Sequence, residues 1–151
     1  MDKYRVSLDI SSTKHTLNEI SAALGIEPAS QCPEKGKPVP WPFSSLQRRF
    51  SRTCWRLESG SRSTASVERQ LHRLVSRLPR HLDKVLKRLK VKPYITIGVF
   101  TDRPMKTVEV PPEILCCIAS LSCKLRIIFY STRDKNKMAT THRPVSGRSR
   151  R

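Results

Sequence analysis

The chain predicts an α+β domain: a four-stranded, mainly antiparallel sheet with helices packed on one face, ferredoxin-like in character, and a disordered basic C-terminal tail. Three observations predict it. Four segments carry the two-residue apolar alternation of strands. Between them, apolar residues recur at the three- and four-residue steps of amphipathic helices. The order is β-α-loop-β-α-β-α-β, and 151 residues suit a short sheet layered on one side better than a doubly wound one. Residues 1–131 form the single domain, and 132–151 form the tail.

Tyr4, Val6, Leu8 and Ile10 share one face of the first strand, with Arg5, Ser7 and Asp9 on the other. Thr16-Leu-Asn-Glu19 has the form of a capping box, so a short helix starts there. Leu17, Ile20 and Leu24 are its buried stripe, and Gly25 suits its end. Residues 27–52 hold Pro28, Pro33, Pro38, Pro40 and Pro42, which exclude a regular helix or central strand. This long surface loop carries Trp41, Phe43, Arg48, Arg49 and Arg52, the side-chain types that binding hot spots favour. The two aromatics could equally pin the loop to the domain.

Residues 53–59 alternate again, and Trp55 and Leu57 belong in the core. From Ser66 to Lys90 one helical face is apolar, running from Val67 through Leu71, Leu74, Leu82 and Leu86 to Leu89. The other carries Arg69, Arg73, Arg77, Arg80, Lys84, Lys87, Arg88 and Lys90 against Glu68 and Asp83. Pro79 should kink or break this helix near Leu78. Its basic face is either solvated or a docking face for something acidic.

Residues 94–101 form the most strand-like run. Ile95, Ile97 and Val99 lie on one side, and Tyr94 and Phe100 make the other partly apolar, so the strand should be central. Residues 105–110 could add a short extended piece. Pro111 and Pro112 open a helix whose stripe is Ile114, Leu115, Ile118 and Leu121. Residues 124–130 are the last strand. Tyr4 to Ile20 and Tyr94 to Ile114 share the order strand, acidic helix start, apolar stripe, a faint echo of a duplicated half. The segment 132–151 has almost nothing to bury.

The net charge is +18, unevenly spread. Residues 1–30 carry three basic and four acidic groups, whereas 66–90 carry eight and two. Such an excess attracts nucleic acid, an anionic membrane surface or an acidic protein. Five cysteines have no framework spacing, no signal peptide opens the chain and no segment approaches a membrane span. These features lead us to expect a cytoplasmic protein with free thiols and no membrane partner. Cys116, Cys117 and Cys123 lack the close pairing of zinc ligands and are expected to be small buried residues.

No catalytic set can be assembled from the sequence. The glycines form no phosphate loop, His15, His72, His81 and His142 are scattered, and Asp9 and Asp102 have no evident chemical partner. We therefore expect neither an enzyme nor a cofactor or metal.

The chain resembles the bacterial family called domain of unknown function 4279. The opening YRVSLDI and LNEISAALGIEP carry the likeness, with KGKPVP leading to TCWRLES, then VERQLHRLVSRLP, YITIGVFTD and PPEILCCIASLSCKLRIIFY. It spans about residues 4–131. The chain departs from the family's pattern in charge, because the 66–90 helix is mixed or acidic in such proteins and basic here. The resemblance and the small size imply an immunity protein, which binds a cognate antibacterial toxin and occludes its active site. Such a protein needs a complementary charged surface rather than a catalytic site. The expected contacts to an acidic toxin domain are Trp41, Phe43, Arg48, Arg49 and Arg52 in the loop, and Arg69, Arg73, Arg77, Arg80 and Lys84 on the helix. The alternative is a nucleic-acid-binding protein that uses the basic helix and tail. Against it, the central strands show no obvious exposed aromatic pair on a basic sheet.

Overall fold

In the computed structural model, residues 2–30, 32–40, 48–103 and 106–132 are described. Eight elements follow one another: β1 (Lys3–Ser12), α1 (Leu17–Leu24), β2 (Thr53–Glu58), α2 (Val67–Ser76), α3 (Leu82–Leu89), β3 (Lys92–Thr101), α4 (Pro112–Ser120) and β4 (Lys124–Ser131). The expected α+β architecture is present. The sheet order is β2-β1-β3-β4. β1 pairs antiparallel with both β2 and β3, while β3 and β4 run parallel because α4 carries the chain back across the sheet. Expectations for Trp41, Phe43, Met105 and residues 133–151 lie outside the described residues.

The alternation in the sequence becomes a two-faced sheet. Val6, Leu8, Ile10, Trp55, Leu57, Ile95, Ile97 and Val99 are all buried on one face. Ile20, Leu24, Leu71, Leu74, Leu82, Val85, Leu86, Ile114 and Ile118 cover them from the helices. Trp55 is fully enclosed and its indole N–H donates to Ser21 Oγ at 3.0 Å.

Local chemistry sets the helix ends. Thr16 Oγ1 accepts the Glu19 N–H and the Glu19 carboxylate accepts the Thr16 N–H, completing the capping box. Gly25 ends α1 at φ 70°, where a side chain would be strained. The basic helix breaks as expected around Pro79, giving α2 and α3 separate axes.

Three local expectations are corrected. Residues 106–110 form no strand; Val108 and Val110 instead pack their side chains partly onto the core. Leu115 is exposed, not part of the α4 stripe, whereas Ile114 and Ile118 are buried and Leu121 packs partly onto the core. Cys116 is exposed, and Cys117 and Cys123 are half-buried. Among the described residues no helix is long and apolar enough to cross a membrane.

Candidate binding face

The expected contact residues fall into two separate groups. Arg48 and Arg49 lie on an arm of the proline-rich loop that pairs back on itself. There Gly36 N–H donates to the Phe50 carbonyl, Phe50 N–H to that of Lys37 and Val39 N–H to that of Arg48, each at 2.9 Å. Arg49 ties the arm down by donating to the Gly36 carbonyl at 2.6 Å. Arg52 reaches Ser11 Oγ at 3.5 Å, beside the start of β2.

Arg69, Arg73, Arg77, Arg80 and Lys84 are all exposed on the helix layer. Arg77 spends a guanidinium N–H on the Glu58 carbonyl, at the far end of β2. That strand separates Arg52 from Arg77 by roughly 17 Å at about 3.3 Å per residue. The loop and helix cations thus sit at opposite ends of one strand, and Pro79 divides the helix cations again.

A third surface escaped the sequence reading. The sheet face away from the helices carries Lys3, Arg5, Ser7 and Asp9 from β1, and Cys54, Arg56 and Glu58 from β2. Tyr94, Thr96, Gly98 and Phe100 of β3 lie on it with Lys124, Arg126, Ile128 and Tyr130 of β4. Phe100 and Tyr130 are register partners and stack, with ring centroids 4.6 Å apart and planes within 10°. Arg5 lies over the Phe100 ring at 5.9 Å, and Arg126 over the Tyr94 ring at 4.4 Å. An aromatic pair thus lies among basic residues of this face, half-buried Phe100 on central β3 against exposed Tyr130 on edge strand β4.

Gly98 lies under the stack. A Cβ there would stand 3.5 Å from both the Phe100 and Tyr130 rings, so they lean over bare backbone. Beside them a shallow cavity of about 70 Å³ is lined by Arg5, Arg56, Thr96, Phe100 and Tyr130. Thr96 Oγ1 is buried and finds no hydrogen-bond partner among the described residues.

The arginines of this face are not equivalent. Arg56 is paired with Asp9 at 2.6 Å. Burial works against the Arg56 charge, but the Asp9 hydrogen bond and its field outweigh that and raise the pKa. Asp9 also accepts from Ser7 Oγ at 3.3 Å. Among the described residues, neither Arg5 nor Arg126 has a carboxylate within ion-pair distance. Each is held by an aromatic ring with its donors free, which suits a carboxylate or a phosphate. Among the described residues no three His, Cys, Asp or Glu side chains gather as metal ligands.

Phe100 and Tyr130 were legible only as strand residues of the opposite parity to Ile97 and Phe129. Their meeting depends on the parallel β3–β4 register, which no local pattern announces.

The fold and this face define a one-sided α+β sheet domain whose uncovered face is aromatic and cationic. The chain belongs to the family described as Domain of unknown function (DUF4279), whose model matches residues 2–132. No curated protein and no solved structure matches it.

Proposed function

We propose that this chain is a non-catalytic binding module for an acidic protein, and that its finer role is that of a cytoplasmic immunity protein occluding the active site of a cognate antibacterial toxin. The observation that carries the reading is the pair of carboxylate-free arginines, Arg5 and Arg126, each laid on an aromatic ring of the open sheet face. Arginine and aromatic side chains dominate hot spots, and here the rings pre-order the guanidinium groups before any partner arrives. The net charge of +18 raises the rate of encounter with an acidic surface. The immunity role rests on the family resemblance and on small size.

The test is co-expression with a candidate acidic toxin domain from a neighbouring gene, followed by co-purification and a survival assay. A one-to-one complex that protects cells, and that Arg126→Glu with Phe100→Ala disrupts, supports the reading. No complex and no protection removes it.

One observation favours a second reading. Arg5, Phe100 and Tyr130 form a continuous stack, and such a stack accepts a nucleic-acid base on its free end. If this face takes single-stranded nucleic acid, the chain should bind labelled oligonucleotides at physiological salt and lose affinity with Tyr130→Ala. Binding that disappears at physiological salt is charge alone.

A further inference from the structure

β4 is an edge strand whose core-side residues are left half-covered. Leu125, Ile127 and Phe129 continue the rows of Ile95, Ile97 and Val99, yet they are 36%, 40% and 54% exposed. The helix above adds to this strip. In α4, Glu113 faces α2, where it lies 3.6 Å from His72. Leu115 is two positions on, about 200° around the helix, so it points away from α2 toward the β4 edge. Leu115 is 45% exposed. Among the described residues, an apolar strip thus runs from the outer flank of α4 to the outer side of β4, along which no other strand is paired.

The geometry points to a second copy of this chain as the occupant, joined β4 to β4 in an antiparallel, two-fold pair centred on Ile127. The strand is self-complementary in that register. Ile127 meets its own copy, and Leu125 meets Phe129 of the other chain on the helix side. On the open side Arg126 meets Ile128, and Lys124 meets Tyr130, a cation over a ring. Centring the pair one residue earlier would place Arg126 against Arg126, which like charges oppose. Centring it one residue later would keep Ile127 against Phe129 but set Leu125 against Ser131 in both chains, so Leu125 loses its apolar partner. The two-fold also brings the two α4 flanks, each with its Leu115, over the joined strands.

The result is an eight-stranded sheet with both aromatic–cationic faces on the same side. This inference does not rest on the proposed partner: β4 pairs through its edge and leaves Arg5, Phe100 and Tyr94 clear of the seam, while Arg126 and Tyr130 border it.

Salt separates the two kinds of association. Copies of charge +18 repel, so added salt should strengthen self-association, whereas it weakens binding to an acidic partner. Native mass spectrometry and sedimentation of the nuclease-treated full chain are expected to show a dimer that increases from low to physiological salt. A monomer throughout, or a dimer that dissolves as salt rises, overturns the proposal. Ile127→Lys should weaken dimerisation at least about tenfold, since it sets two charges face to face and removes apolar contact. Its circular dichroism should match the parent, because the side chain is already 40% exposed.

A second variant keeps the register testable. Cα atoms of directly opposed antiparallel residues are about 4.5–5.5 Å apart, within disulfide range. Mild oxidation of Ile127→Cys should therefore give an interchain disulfide absent from the parent and from Ile128→Cys. Cross-linking through Ile128→Cys instead, or a dimer undisturbed by Ile127→Lys, overturns the register.

Discussion

Gln70 of α2 supplies the hydrogen-bond partner that the sheet denies to Val6. The β1–β2 ladder stops at Ser7–Glu58, and the Val6 N–H donates instead to Gln70 Oε1 at 3.2 Å. Gln70 Nε2 faces the Tyr4 carbonyl at 3.1 Å and the Ala65 carbonyl at 3.0 Å. The amide is 1% exposed, so one side chain fastens helix, loop and central strand where water cannot substitute.

Gln70→Leu keeps the bulk but strips those backbone groups of their partner. Chemical denaturation should show a loss of about 2–3 kcal/mol, the cost of leaving buried polar groups unpaired. A loss below about 0.5 kcal/mol would mean that the loop relaxes to satisfy them.

Trp55→Phe removes the indole donor from Ser21 and leaves a small void. The expected cost is about 1–2 kcal/mol by urea denaturation, and Trp55→Ala should cost about 3–5 kcal/mol. In the Phe variant, adding Ser21→Ala should recover part of the loss, because the orphaned hydroxyl goes with it.

Acid stability should depend on Asp2 and Glu19. The hydrogen bond from Lys106, then that from Thr101, holds the Asp2 carboxyl below its ordinary value of 3.8. The Thr16 backbone hydrogen bond holds Glu19 below 4.5. A carboxylate with a lowered folded pKa stabilises above its unfolded value, and the benefit is lost as pH falls through the folded one. Urea midpoints should therefore drop between about pH 5 and pH 2. Asp2→Asn should make that drop shallower and leave the trend above neutrality unchanged.

Thiol labelling should rank the cysteines by burial. Burial pushes the Cys123 thiol up to about 11, whereas Cys116 is exposed. Mass spectrometry after brief alkylation near pH 8 should find Cys116 modified first and Cys123 last. Early modification of Cys123 would show that the α4–β4 turn opens readily.

Gly98 offers a probe of the open face that spares the core. Gly98→Ala puts its Cβ in ordinary contact with both rings and should be tolerated. Gly98→Val is larger and should push Phe100 and Tyr130 apart. Partner affinity should fall about tenfold or more while the melting temperature stays close to the parent's.

Much of this molecule was legible because its signals are local. Thr16 and Glu19 announce a helix start three residues apart, Pro79 carries its own steric veto, and Val6 to Ile10 alternate in one short run. The α4 stripe was misjudged at Leu115 because periodicity marks apolar residues without saying which are covered. The same limit hid the strip on β4, where Leu125, Ile127 and Phe129 look like any half-buried strand. The aromatic face was missed for a different reason. Phe100 and Tyr130 are 30 positions apart, and only the parallel register set by α4 brings the rings together. The charge pattern identified cations correctly but could not say that Arg52 and Arg77 stand at opposite ends of β2.

The two central strands are made far apart in time. Val6 pairs with Ile97, so β1 must wait through the synthesis of three helices and a proline-rich loop before its second neighbour exists. Until then it has only β2 on one side, with an unclosed backbone edge on the other. A sheet whose middle seam joins strands so distant in sequence has high contact order, and such chains reach the native state slowly. Release from the ribosome before Thr101 would leave β1 and β2 as a two-stranded fragment open to the wrong strand, the state on which chaperones act.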